Sequence, residues 1–309
     1  MKLGKVTETI MNRSVIKQLP KKRIETSEEI LLSDVSLYGE EEELGYYAIA
    51  RGVNQILAQG GRPTEVSIQI LLKPEAKEIF LKQVVRSITQ CCRAWTLNIR
   101  NVEVQVSPAV NQMVIQASVI GREENNINHK GENAKDIVLT KWIGMEGTLR
   151  LLQRETKQLS NRFIPTFLQE IVQWRDMLNT KEEIEIGREA GVNVICPVAE
   201  GGIYAALWEL AKIENTGFEI SLGNISLRQE TVEICEYFKL NPYELASAGC
   251  TLMLAEDGEA LVSKMQDRGI RASVLGSMTQ NRDKVIKRGE ERRFLDRPAP
   301  DELIKMADR

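Results

Sequence analysis

Histidine is nearly absent from this 309-residue sequence: there is one, His129. A polyhistidine metal centre is therefore excluded, and acid–base chemistry must use other side chains. Neither zinc nor haem is expected. Cysteine is sparse as well. The five residues, Cys91, Cys92, Cys196, Cys235 and Cys250, contain no C-x-x-C pair. That spacing matches neither a zinc knuckle nor a dense disulfide scaffold and points to reduced thiols in a cytoplasmic protein. Aromatic residues make up only 5%, and the four tryptophans fall on apolar periodic stretches. Core packing explains them better than base stacking. Net charge is small too, −3 from 41 basic and 44 acidic residues, so nucleic acid is not an expected partner. No run approaches the roughly 18 apolar residues of a membrane span, and the start lacks the apolar core of a secretory signal.

What is present is a globular composition, 42% hydrophobic and 28% charged. The length corresponds to two domains at about 100–200 residues each. A short helix is expected over Thr7–Ile16 and a strand over Ile30–Val35. The acidic run Glu40–Glu43 reads as a solvated loop or helix start. Apolar periodicity predicts a buried helix over Leu44–Leu57, stopped by Gly60-Gly61-Arg62-Pro63. Strands are expected at Glu65–Leu72, Leu97–Val106 and Met113–Ile120, with an amphipathic helix over Ala76–Trp95. The polar stretch Arg122–Lys135, which holds His129, is the domain boundary, giving units 1–135 and 136–309. The second unit alternates strands (Asp136–Thr140, Val192–Ile195, Thr251–Leu254, Ile270–Leu275) with helices (Thr148–Leu159, Ile164–Leu178, Lys181–Ala190, Ile203–Ile213, Arg228–Phe238, Gly258–Arg268). Phe218–Leu222 and Leu227 mark strand edges. The fold class is α/β (α+β).

Glycine junctions are where chemistry is expected. Gly144 and Gly147 follow a strand and open a helix, and Glu200-Gly201-Gly202 does the same. Glycine permits close backbone approach, and helix N-terminal amides can hold a phosphate. Neither junction has the G-x-G-x-x-G or Walker A spacing. Glu200 reads either as a helix-capping charge or as a cation holder beside a nucleotide. Asp34, Glu103 and Asp136 lie in or near strands, and spacing alone does not bring them together. Cys196 precedes Pro197 near a helix start, with only His129 to pair with it.

Several segments together carry a family resemblance. They include Gly52-Val53-Asn54-Gln55-Ile56-Leu57-Ala58-Gln59-Gly60-Gly61-Arg62-Pro63, Ser107-Pro108-Ala109-Val110-Asn111-Gln112 and Asp136-Ile137-Val138-Leu139-Thr140-Lys141-Trp142-Ile143-Gly144. Glu146-Gly147-Thr148, Glu200-Gly201-Gly202, Asn241-Pro242-Tyr243-Glu244-Leu245 and Gly269-Ile270-Arg271-Ala272-Ser273-Val274-Leu275-Gly276 continue the pattern. The sequence resembles the aminoimidazole ribonucleotide synthetase-like superfamily. Thiamine-monophosphate kinase, selenophosphate synthetase and the hydrogenase maturation carbamoyl dehydratase belong there, and the synthetase-related branch near the last is the most similar. The resemblance implies a two-domain protomer whose N-terminal domains pair in a homodimer through a barrel-like sheet. It implies ATP and Mg²⁺ in a cleft, with Asn54, Gln55, Gly144, Gly147, Glu200, Gly201 and Gly202 as binding residues. Asp34, Glu103 and Glu200 become the metal candidates. A small phosphorylated ligand or a maturation protein is the implied partner.

The sequence departs from the family pattern in one direction. Lys21–Ile30 lacks the family's glycine-rich G-x-G-x-D-A-A segment. The family's Asn-Asp pair appears as Asn54-Gln55, its His-Thr-Glu as Asn101-Val102-Glu103, and its His-Asp as Cys196-Pro197. Lost carboxylates cannot compensate a magnesium–phosphate cluster, and proline supplies no donor. The end, Lys305-Met306-Ala307-Asp308-Arg309, has no cysteine like the one the maturation factor carries in its tail. The expectation is a dimeric protein that binds a nucleotide or phosphate but has lost magnesium-dependent phosphoryl transfer, acting in binding, regulation or maturation. The alternative is an active ATP-dependent enzyme that activates a carbonyl or phosphate-acceptor oxygen through a rebuilt metal site.

Overall fold

The protein is described by a computed structural model over residues 8–18, 30–124 and 135–306. His129, the stretch 21–29 and most of the polar boundary lie outside the described residues. The N-terminal half runs α1 (Glu8–Ser14), β1 (Ile30–Gly39), α2 (Leu44–Ala58), β2 (Gly61–Leu72), α3 (Glu78–Ala94), β3 (Asn98–Val106) and β4 (Met113–Glu123). Alternation at Val66, Ile68, Ile70 and Leu72, and at Met113, Ile115, Ala117 and Val119, gives the sheet an inward apolar face. The strand order is β1-β4-β2-β3, antiparallel except for the β2–β3 pair.

This sheet is open, and the expected barrel-like sheet is overturned. Strands β1 and β3 are its two edges and do not pair with each other. Four strands are too few to close around side chains, since small barrels need about eight. The expected turn at Gly61-Arg62-Pro63 also differs: those residues begin β2. A register shift between Pro63 and Glu65 absorbs the proline, which has no N–H for the ladder.

The C-terminal half begins with β5 (Asp136–Thr140), α4 (Met145–Arg154), α5 (Thr156–Arg162), α6 (Pro165–Gln173), a 3-10 turn at Trp174–Leu178 and α7 (Lys181–Glu189). It continues with β6 (Val194–Pro197), α8 (Gly202–Ile213), β7 (Gly217–Ser221), α9 (Gln229–Phe238), β8 (Thr251–Ala255) and α10 (Gly258–Asp267). It closes with β9 (Ala272–Thr279), β10 (Lys284–Arg288), β11 (Glu291–Phe294) and a 3-10 turn at Glu302–Met306. Its seven-stranded sheet has the order β11-β10-β7-β9-β5-β8-β6. The helix expected over Thr148–Leu159 breaks at Glu155. There the Thr156 hydroxyl donates back to Leu152 O at 2.7 Å, a local bond that competes with helix continuation. Leu227 lies outside the strands, and β10 and β11 follow the strand expected to be last. Their charged sequences, K-V-I-K-R and E-R-R-F, carry little apolar alternation.

Helix α2 joins the two halves. It is buried on nearly every side because the sheet covers one face and the C-terminal half the other. Two glycines let α2 pack closely, one against β4 and one against α3. A Cβ on Gly52 would lie 2.5 Å from Val119 Cγ2, and one on Gly45 would lie 2.4 Å from Ile88 Cγ1. On the far side Asn54 donates to Leu178 O at 2.8 Å and accepts from Thr180 N at 3.1 Å. One hydrophobic cluster runs unbroken from Ile68, Ile70 and Ile115 through Tyr47 and Ile49 to Met145, Leu149 and Leu245.

Candidate functional site

The junction between the halves is held by charge buried in the apolar core. Arg51, the one charged residue of α2, makes a bidentate pair with Glu146: Nε to Oε2 at 2.8 Å and Nη2 to Oε1 at 2.9 Å. Glu146 stands in the first turn of α4 and is fully buried. One turn later Arg150 lies 3.7 Å from Glu146, donates to Glu41 at 3.0 Å and donates to Tyr38 O at 2.9 Å. Burial would lower the Arg150 pKa, but Glu41 and Glu146 raise it further, so the guanidinium stays charged. Breaking such a network is costly: removing one partner of a buried pair costs about 3–5 kcal/mol.

Glu200 lies at the edge of this network, 4.0 Å from Arg51 Nη1 and partly exposed. It precedes the turn into α8. Gly201 and Gly202 both have left-handed backbones, φ 75° and 64°. A Cβ on Gly202 would sit 2.4 Å from Tyr243 O, so no other residue fits there unstrained. The Gly201 amide donates to Asp301 Oδ2 at 2.7 Å. Asp301 is 5% exposed, and its other oxygen accepts from Leu303 N at 3.0 Å. Burial raises the Asp301 pKa, opposed by Arg51 and by the Gly201 and Leu303 amides. A carboxylate from the C-terminal segment thus occupies the start of α8. That segment is anchored by buried Leu303 and Met306 and by the Trp208 indole N–H donated to Asp296 O at 2.8 Å.

The start of α4 looks similar but is closed from within. Gly144 is left-handed, φ 77°, and its amide donates to Ser247 Oγ at 2.7 Å. The Gly147 amide donates to Ala246 O at 2.8 Å, and a Cβ on Gly147 would lie 2.4 Å from Leu245 Cγ. These glycines pack α4 against the Leu245–Ser247 loop.

The remaining expected site residues are dispersed. Asn54 is buried and fully engaged between the halves, whereas its neighbour Gln55 is exposed. Asp34 accepts from Ser118 Oγ at 2.5 Å on β1, and Glu103 stands on β3, the opposite edge of the sheet. Three strand spacings separate those edges, about 14 Å. Glu200 belongs to the other half. Within one chain these three carboxylates do not fit a single magnesium site, and no cluster of three metal-ligating side chains occurs among the described residues. None of the five cysteines forms a disulfide, and all are buried. Burial pushes the Cys92 thiol up to about 11 and Cys235 up to about 12, so neither is poised as a thiolate.

Tyr38, Arg51, Arg150 and Asp301 were not singled out by sequence, and Glu41, expected in a solvated acidic run, is instead buried because Arg150 compensates its charge. Arg51 had a usable signal, a charge inside an apolar helical stretch. Asp301 had none, because its partner is 100 residues away.

No helix among the described residues is long and apolar enough to cross a membrane. Comparison with known proteins gives a consistent picture. Residues 12–122 match the N-terminal domain of the AIR synthase related proteins, and residues 136–288 match their C-terminal domain. A Methanocaldococcus jannaschii protein assigned to hydrogenase expression or formation is 24% identical over 271 residues, 84% of this chain and 78% of that protein. The crystal structure of Escherichia coli HypE superposes with a TM-score of 0.75 at 19% identity, covering 94% of each chain. A HypE structure in complex with ATP gives 0.69 at 17% identity, covering 98% of each. A HypE–HypF complex gives 0.69 at 18%, covering 87% of this chain and 90% of that one. At such identities the structures establish a shared fold. The chain belongs to the AIR synthase related protein family, with its similarity lying on the HypE-like branch.

Proposed function

We propose that this chain is an ATP-dependent enzyme that activates a carbonyl or phosphate-acceptor oxygen. The substrate oxygen would attack the γ-phosphorus as the bond to the departing ADP breaks. One observation carries the reading: the Gly201 amide already holds an oxyanion, the Asp301 carboxylate, at 2.7 Å. A phosphate oxygen has the same hydrogen-bonding demand, and a helix N-terminus favours negative charge. Glu200, Gly201 and Gly202 would bind the nucleotide, with Tyr38 beside them. We derive no step through magnesium, because Asp34, Glu103 and Glu200 do not fit one site within the chain.

The same contact favours a second reading, a regulatory protein that binds phosphate without transferring it, because Asp301 competes for the amide. Calorimetric titration with a non-hydrolysable ATP analogue, paired with phosphate release from ATP, separates the two. The enzyme reading expects both binding and turnover. Binding without turnover selects the regulatory one.

We propose a domain boundary between residues 135 and 136. A homodimer is proposed from exposed apolar residues at the sheet edges, Ile30 and Leu32 on β1 and Ile99 and Val106 on β3. Light scattering should give about twice 34.9 kDa. By analogy with the HypE–HypF complex, a maturation protein is the proposed partner, acting in the cytoplasm.

A further inference from the structure

The C-terminal segment that reaches the start of α8 through Asp301 is fixed by a second acidic contact. The next residue, Glu302, is 1% exposed. Its backbone N–H donates to Glu244 O at 3.3 Å, and its carboxyl group is in hydrogen-bond contact with that of Glu244. Asn241, three residues before Glu244, serves both acids. Its backbone N–H donates to Glu302 Oε2 at 3.1 Å, and its side chain hydrogen-bonds to Glu244. Lys305 Nζ donates to Glu302 Oε1 at 2.5 Å and supplies positive charge to the cluster.

An ionised carboxylate only accepts hydrogen bonds, so two carboxyl groups bond to each other only while they hold a proton between them. Burial and then Glu302 raise the Glu244 pKa, opposed by Asn241 and Lys305. The other groups facing the pair do not replace that proton. The Tyr204 phenol of α8 accepts from Arg293 at 3.2 Å, the Cys235 thiol of α9 is buried, and Asp301 turns its oxygens to the Gly201 and Leu303 amides. The acid pair and the helix start are mechanically joined. Asp301 accepts from Leu303 N and Ile304 N at 3.0 Å each, so it moves with the Glu302–Met306 turn. Taking that turn off Glu244 takes Asp301 off the Gly201 amide.

We infer that the C-terminal segment is a proton-held latch on the nucleotide site: the proton shared by Glu244 and Glu302 keeps it shut, and loss of that proton drives the turn away and frees the Gly201 amide. Its role as a gate rests on reading the start of α8 as that site, whereas the latch itself does not. Because the Glu244 value is raised in the closed fold, closure is fully present below its ordinary value of 4.5 and is lost as pH rises through the higher one.

Hydrogen exchange on the full chain without nucleotide tests the latch between roughly pH 5 and pH 8, each rate divided by its intrinsic rate at that pH. The Leu303 and Ile304 amides report the turn, and the amides of α2 report the rest of the fold. Protection of the turn is expected to fall about tenfold per pH unit once the proton is lost, with α2 unchanged. Glu244→Gln keeps a donor facing Glu302 without needing a proton, so its turn should stay protected throughout. At roughly pH 8 a non-hydrolysable ATP analogue should bind Glu244→Gln about tenfold more weakly than wild type, because the latch stays shut. A turn whose protection follows α2 at every pH, or a Glu244→Gln turn as pH-sensitive as wild type, would overturn the latch. Equal analogue affinity in the two proteins would overturn its role as a gate. Release of the turn with rising pH, with no analogue bound at any pH, would uphold the latch and sink the nucleotide reading.

Discussion

Helices α4 and α8 begin in the same way and end up with different jobs. Each follows a strand, each starts from a left-handed glycine, and each first amide meets a side chain at 2.7 Å. At α4 that side chain is the neutral hydroxyl of Ser247, which itself donates to Leu245 O at 2.7 Å. Gly147 then presses the helix onto Leu245, leaving no space for a ligand. At α8 the partner is a buried carboxylate from the C-terminal segment, with the partly exposed Glu200 alongside. The comparison teaches that a glycine-opened helix is an anion site only when its amide faces an anion. A neighbouring hydroxyl makes the same geometry a packing device.

The largest effect should come from the residue that faces both helix starts. Arg51→Leu removes the bidentate partner of Glu146, leaving it only Arg150 at 3.7 Å and the Ala248 amide at 3.4 Å, and removes the cation beside Glu200, so it should destabilise the fold by about 3 kcal/mol in chemical unfolding. The double change Arg51→Leu with Glu146→Leu should recover part of that loss, since no charge then remains buried alone. A smaller effect is expected at α4. Ser247→Ala leaves the Gly144 amide without its acceptor and should cost about 1–3 kcal/mol.

The smallest effect separates the two ends by pH. Burial raises the Asp301 pKa in the fold, so its contribution to stability is fully present below its ordinary value of 3.8 and is lost as pH rises through the higher folded value. Asp301→Asn should flatten the pH dependence of stability across that window. Ser247→Ala should leave it unchanged. Urea unfolding at a series of pH values checks both.

The strand and helix pattern was readable wherever apolar residues kept a period. Helix α2 and strands β2 and β4 are examples, since Leu44–Ala58 and the alternating residues of both strands face one core. Charged β10 and β11 carried no such period and escaped. The open sheet was hidden because strand order depends on long-range pairing, and the parallel β2–β3 pair leaves no local mark. The site was half legible. The glycines at 144, 147, 201 and 202 announced backbone constraints but not their causes. Leu245, Ser247, Tyr243 and Asp301, which supply those causes, are distant in sequence. The carboxylates Asp34, Glu103 and Glu200 came from local context and the family resemblance, and neither says which sheet edge a strand of this chain occupies.

The central claim is that the start of α8 is an oxyanion site shared between Asp301 and a nucleotide phosphate. Titration of a non-hydrolysable ATP analogue into wild type, Asp301→Ala and Ser247→Ala tests it most directly. The account predicts about tenfold tighter binding in Asp301→Ala, where the Gly201 amide is released, and unchanged affinity in Ser247→Ala. Equal affinity in wild type and Asp301→Ala, or no binding by either, would contradict it.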